Sequence, residues 1–182
     1  MTPGGDAVLR AIATRRVIRN MTDDPVAPSD LDAVLRAIRA APSAGNRRLH
    51  PTVTVTDPAQ LRLVRMVSPG MLARPAAAIV ICIDVPRAVE FGFAPDHAGL
   101  YIDVGTVAAT ALLAAHALHL AGEPVTSFSR VAVARLLGLR EGLDPRLIVC
   151  LGHPAGAQPP AMGAWTGERL TSGSGPRSGS DR

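Results

Sequence analysis

Three arginines fall within five residues in the run Thr14-Arg15-Arg16-Val17-Ile18-Arg19. If the helical period that precedes them continues, Arg15 and Arg19 lie one turn apart on one face. Two converging guanidiniums can grip a dianionic phosphate through charge-assisted, bidentate hydrogen bonds. Cations also suit a plain helix C-terminus, where they offset the helix dipole, so spacing alone leaves both readings open. A second group is Pro42-Ser43-Ala44-Gly45-Asn46. It offers backbone N–H groups, a hydroxyl and a carboxamide to the edge of a polar heterocycle, but these are also ordinary turn formers.

The whole chain bounds what such groups can serve. At 182 residues it suggests one domain, with about 70% of the unfolded surface buried on folding. Hydrophobic residues make up 47% and charged residues 19%, the profile of a packed globular protein. All 19 basic residues are arginines, which excludes Schiff bases, a Walker-type lysine and a Ser-Lys dyad. Cys82 and Cys150 are too few for a disulfide scaffold or a four-cysteine zinc site. Both lie in apolar runs and read as buried free thiols of a reducing, cytoplasmic compartment. The net charge is +4 and the pI near 10.3, but aromatics are only 3%, so nucleic-acid stacking platforms are not expected. The opening residues do not read as a secretory signal. Gly99 to Ala121 is apolar but holds Asp103, His116 and His119, so it reads as a buried helix and not a membrane span.

The elements that must position the two groups follow from periodicity and breakers. A helix is expected over Ala7–Arg16, and a second from an N-cap at Ser29 to just before Pro42, with Leu31, Val34, Leu35 and Ile38 at core spacing. Pro51–Thr56 alternates as a half-buried strand, and a helix runs from Asp57-Pro58 to about Met66. Ala76–Asp84 is a central strand, Val85–His97 a loop, and Gly99–Leu120 a long helix stopped by Gly122. Pro124–Phe128 is extended, Val131–Leu137 helical, and Arg146–Leu151 the last strand. A single domain over residues 1–170 and a disordered Ser/Gly-rich tail, Thr171 to Arg182, complete the expectation.

Other residues receive structural readings. His116 and His119 lack a carboxylate or cysteine to complete a metal set, and Asp103 suits the helix dipole. Ser43 and Ser127 have no His/Asp triad around them. Trp165 is expected to pack the C-terminal segment onto the body.

The order of these segments resembles the nitroreductase-like flavoproteins. Arg-Arg-x-x-Arg is followed by Asp23-Asp24-Pro25-Val26, an amphipathic helix, Ala41-Pro42-Ser43-Ala44-Gly45-Asn46 and a strand. Later come Tyr101-Ile102-Asp103-Val104-Gly105, Leu112-Leu113-Ala114-Ala115-His116, Pro124-Val125-Thr126-Ser127-Phe128 and Val149-Cys150-Leu151-Gly152-His153-Pro154. The resemblance implies an α+β fold with a central, mostly antiparallel sheet flanked by helices. It further implies a homodimer formed through the long helix, with FMN at the subunit interface. By motif, Arg15, Arg16, Val17 and Arg19 would hold the phosphate and pyrimidine side. Pro42, Ser43, Ala44 and Asn46 of the partner subunit would line the ribityl chain and ring edge. Pro124, Val125, Thr126 and Ser127 would lie beneath the ring, with a backbone N–H near N5, and Arg169 is the candidate C-terminal basic residue. His153 stands where it could approach the flavin.

Three features depart from the pattern. Arg48 stands where glutamine is usual with Leu49-His50 in place of a nearby aromatic, the C-terminal basic pair that commonly completes the phosphate site has no clear match, and the segment before Tyr101 is short, which implies an open cleft. The implied activity is FMN-dependent, NAD(P)H-driven, ping-pong reduction of nitroaromatic or quinone-like small molecules, without a catalytic side chain. Ser68-Pro69-Gly70-Met71-Leu72 and Pro75-Ala76 are similar instead to the catalytic subunit of cyclodipeptide oxidases, which dehydrogenate cyclic dipeptides with a small partner subunit. A flavin-binding dimer without turnover is the third reading.

Overall fold

The computed structural model describes residues 3–156. Helix α1 (Pro3–Thr14) is followed by α2 (Pro28–Arg39), a 3-10 turn over Ala44–Asn46, β1 (Thr52–Val55) and α3 (Pro58–Met66). The second half holds β2 (Ala77–Asp84), α4 (Val85–Glu90), α5 (Ala98–Ala117), β3 (Ala121–Val125), α6 (Arg130–Leu136) and β4 (Leu143–Gly152). The strands pair antiparallel in the order β1-β2-β4-β3. This is the expected α+β architecture.

Strand β2 is buried along all eight residues because β1 and β4 flank it and helices cover both faces. Ile79, Ile81 and Ile83 point to a core shared with α2 and α5, while Ala78, Val80 and Cys82 point to one shared with α3 and α6. Each of those isoleucines contributes about 2 kcal/mol by leaving water. On α2 the buried Leu31, Val34 and Ile38 recur at helical spacing. Helix α5 has the length and apolarity of a membrane span, yet it packs against α2, β2, β3 and β4 as the core helix of one layer. Its alanines permit close approach to the sheet.

Several boundaries differ from expectation for identifiable reasons. Helix α1 ends at Thr14, not Arg16; the Thr14 hydroxyl donates to the Arg10 carbonyl at 2.7 Å. Helix α2 begins at Pro28, whose fixed φ suits the first helical position, so Ser29 lies inside the helix and not at its cap. The expected loop over Val85–His97 contains α4, capped by Asp84, whose carboxylate accepts from Arg87 N–H. Two turns are too short to show a period. Strand β3 begins at Ala121, ahead of the expected Pro124, and β4 begins at Leu143, with a register shift opposite Ile81/Cys82.

Gly122 does not stop α5; it sits in β3, where an added Cβ would stand 2.7 Å from Leu112 Cδ2. The helix is ended by His119, at φ 60°. His119 N–H donates to the His116 carbonyl and Leu120 N–H reaches back to Ala115 at 2.8 Å, closing a Schellman turn. A side chain in that left-handed position is strained. His119→Gly is therefore expected to raise unfolding free energy by about 1 kcal/mol; urea titration showing no gain would refute this account of the helix end.

Candidate functional site

Beyond α1 the chain Arg15–Asn20 does not continue as helix but runs beside β3, an edge strand with free backbone groups. Ile18 N–H donates to the Gly122 carbonyl at 3.1 Å. Arg15 and Arg19 therefore do not share a helical face: Arg15 lies against α5, and Arg19 lies one residue beyond the contact of Ile18 with the strand edge. Arg16 caps α1 by donating from Nη1 to the carbonyls of Ala13 (3.0 Å) and Arg15 (2.6 Å), as the helix-end reading required. Arg15 Nη1 and Arg16 Nε are buried and have no hydrogen-bond partner among the described residues. Buried cationic donors left unpaired are costly, and an anion would satisfy them. Val17 is half-buried.

Arg19 instead reaches a residue that sequence reading missed. Its Nε donates to Glu123 Oε1 at 2.6 Å. Glu123 is 1% exposed in the middle of β3, whereas the Arg19 side chain is 54% exposed. The second Glu123 oxygen accepts from Ala73 N–H at 3.0 Å. The available signal was a lone carboxylate between Ala121-Gly122 and Pro124-Val125, in a segment that reads as strand.

Pro124 and Val125 end β3, and Thr126 and Ser127 lie exposed beyond it. The segment is held from one side by the Ser68–Ala73 loop: Gly70 N–H donates to the Ser127 carbonyl at 2.9 Å. A Cβ on Gly70 would stand 2.9 Å from Ser127 Cβ and 3.1 Å from its carbonyl oxygen, so this approach needs glycine.

The Pro42–Asn46 loop is anchored elsewhere, on the start of α5. Ala44 N–H donates to both carboxylate oxygens of buried Asp103 at 3.0 Å, and Thr106 Oγ1 donates to the Pro42 carbonyl at 3.1 Å. Asp103 is thus a loop anchor and not merely a charge suited to a helix dipole. Ser43 Oγ accepts from Arg48 N–H at 3.3 Å, and Gly45 and Asn46 both adopt φ 55°. Asn46 remains exposed. Among the described residues no hydrogen bond joins this loop to Arg15–Arg19 or Pro124–Ser127. Arg169 and Trp165 lie outside the described residues.

The electrostatics match an anion site at the end of α1. His116 Nε2 lies 2.9 Å from Thr14 Oγ1. Burial lowers its pKa, and the charges of Arg15, His119 and Arg16 lower it further. Arg15 also lines a cavity of about 320 Å³ with Ile12 of α1 and Gly105, Ala108 and Leu112 of α5. A larger cavity, about 540 Å³, lies beside α3 and the start of β2 and touches none of the expected site residues. His153 sits against the Pro25 carbonyl at 3.3 Å. Cys82 and Cys150 are free and buried, and burial pushes the Cys82 thiol up to about 12. Among the described residues no group of His, Cys, Asp and Glu could hold a metal.

A profile described as the Nitroreductase family matches residues 12–153. The chain belongs to the nitroreductase family. The match spans Arg15–Arg19, Pro42–Asn46 and Pro124–Ser127 and stops before Arg169. An Archaeoglobus fulgidus relative, whose name pairs NADH dehydrogenase with NAD(P)H nitroreductase, is 29% identical over 153 residues, covering 80% of this chain and 84% of its own. An FMN reductase [NAD(P)H] of Bacillus subtilis is 26% identical, and the match covers 81% of this nitroreductase-family chain and 66% of that protein. The crystal structure of nitroreductase A from Vibrio parahaemolyticus superposes with a TM-score of 0.71 at 26% identity, covering 85% of this chain and 71% of that one.

His50, just beyond the anchored loop, is buried with Nδ1 unpaired. Burial lowers its pKa from 6.5; Asp103 opposes that shift and Arg48 adds to it. A histidine with a depressed folded pKa is protonated first in the unfolded chain. Its contribution to stability is therefore present above about pH 6.5 and lost as pH falls through that value. Between about pH 7.5 and 5.5 the Tm of His50→Gln should fall less than that of the wild type, with His116 carrying a residual loss. Equal losses in the two proteins would reject the assignment.

Proposed function

We propose that the protein is an FMN-dependent oxidoreductase, working as a homodimer, that takes electrons from NAD(P)H and delivers them to electron-poor small molecules of the nitroaromatic or quinone type. The observation that carries this reading is the pair of buried guanidinium donors at the end of α1, Arg15 Nη1 and Arg16 Nε, which have no partner among the described residues. Their chemistry fits the phosphate of FMN. The residues fit the rest of the group as well. Arg19 presents a cation for the pyrimidine side, and Thr126 and Ser127 present backbone beyond β3 for the ring. When bound, FMN supplies hydride chemistry that no side chain of this chain could perform.

What the chain contributes is binding and placement. Pro42, Ser43, Ala44 and Asn46 complete the site from a second copy, held rigid by Asp103 of their own subunit. An apolar face supports that dimer: Val8, Leu9 and Ile12 of α1 and Ile102 of α5 are each more than half exposed. Donor and acceptor occupy one open cleft in turn, so proximity does most of the work and no side-chain acid or base is assigned. The two buried thiols support a reducing, cytoplasmic setting.

A second reading is favoured by the Ser68–Ala73 loop, which packs directly on Ser127. It keeps the flavin but makes the substrate a cyclic dipeptide or other peptide product, with oxygen as acceptor and a small partner subunit. Anaerobic addition of NADPH or NADH to the FMN-loaded protein separates the two. Bleaching of the flavin absorbance supports the reductase, and indifference to both nicotinamides favours the oxidase.

Replacing Arg15 and Arg19 together by alanine removes two charged contacts worth about 1.5–3 kcal/mol each, so FMN affinity should fall at least about 100-fold. Full flavin occupancy in that variant would overturn the phosphate assignment. Light scattering is expected to give a dimer; a monomer at working concentration would overturn the shared site.

A further inference from the structure

A carboxylate buried at the centre of a strand calls for an account. Glu123 lies on the face of β3 that carries Ala121 and Val125, opposite Cys150, in an apolar cluster. Desolvating such a group is costly, and an apolar side chain of similar size would serve folding at least as well. Glu123 is retained with both oxygens engaged, one by Arg19 Nε at 2.6 Å and one by Ala73 N–H at 3.0 Å. The bond uses only Nε of Arg19. Its two Nη groups have no partner among the described residues, and the side chain stays 54% exposed.

We propose that Glu123 is a positioning residue for the flavin: it clamps the Arg19 guanidinium by Nε so that both Nη groups face the pyrimidine side, and it offsets part of their charge. The proposal rests on the placement of Arg19 given under Proposed function. Reduction of FMN by two electrons and one proton leaves one negative charge on the pyrimidine side of the ring. A lone arginine there would favour the reduced form strongly. The Arg19–Glu123 pair favours it less and so holds the bound potential lower, while fixing the arginine for binding.

The test measures the midpoint potential of bound FMN by dithionite titration against a reference dye, and the Kd of oxidised FMN for the apoprotein. Glu123→Gln keeps the shape and removes the charge. It should tighten binding of reduced relative to oxidised FMN about tenfold, which moves the potential up by about 30 mV. In an Arg19→Gln background there is no guanidinium left for Glu123 to orient, so adding Glu123→Gln should move the potential clearly less than it does beside Arg19.

Because a buried glutamine could impair folding, Arg19→Lys is a second, exposed variant. It keeps the charge but not the Nε–Nη fork, and should weaken FMN binding about tenfold. A wild-type apoprotein that does not bind FMN would overturn the flavin reading and this inference with it. If the wild type binds, an unchanged potential in Glu123→Gln, an equal shift in both backgrounds, or an Arg19→Lys variant of wild-type affinity would each overturn the role of Glu123 alone.

Discussion

The ion pair between Arg19 and Glu123 obliges three separate stretches of chain to meet. A carboxylate in the middle of β3, with 1% of its side chain exposed, must find a cation and a second donor or the strand cannot be buried. The cation comes from the segment after α1, and the donor comes from Ala73, just before β2. Once both are in place, Ile18 N–H meets the Gly122 carbonyl at the strand edge. The Ser68–Ala73 loop is drawn under Ser127 by the same geometry. Arg19 and the Ser68–Ala73 loop, which holds the segment proposed to lie beneath the ring, are therefore tied to one buried charge.

Helix α5 plays the corresponding part for the other half of the site. One side fills the core with Leu100, Val104, Val107 and Ala111, while Asp103, in the same stripe, turns its carboxylate to Ala44 N–H. The Pro42–Asn46 loop contains left-handed residues and few apolar atoms, so it has little intrinsic reason to hold one shape. Its rigidity is borrowed from the helix. A single copy holds the two stretches proposed to form the site on different supports, with no hydrogen bond between them among the described residues. This separation is what a site completed by a second copy requires.

Much of this was legible in the amino-acid sequence, because the informative segments are governed by local rules. The isoleucine run of β2, the core spacing on α2 and the turn chemistry of Pro42–Asn46 each follow from period or backbone preference. The arginine cluster was legible in composition but not in shape. Helical period suggests a shared face, whereas pairing with Glu123 of β3 decides where Arg19 goes. Glu123 was hidden for the same reason: its significance depends on Arg19 and Ala73, 104 and 50 residues away. Gly122 shows the opposite failure. Glycine is the usual residue in a left-handed helix stop, yet His119 takes that position while Gly122 makes room for Leu112.

The absence of lysine gives the site a particular character. An arginine can be divided: one nitrogen can be committed to structure while the others stay available, as at Arg19 and Arg16, which cannot be done with an ammonium point charge. Arg16 closes α1 with Nη1 and Arg19 closes the Glu123 pair with Nε; among the described residues Arg16 Nε and both Arg19 Nη groups have no partner. Each therefore serves the fold and the proposed ligand with different atoms. Guanidinium planarity fixes the angle between those atoms, so the bonds that hold the fold also set the direction in which the free donors point.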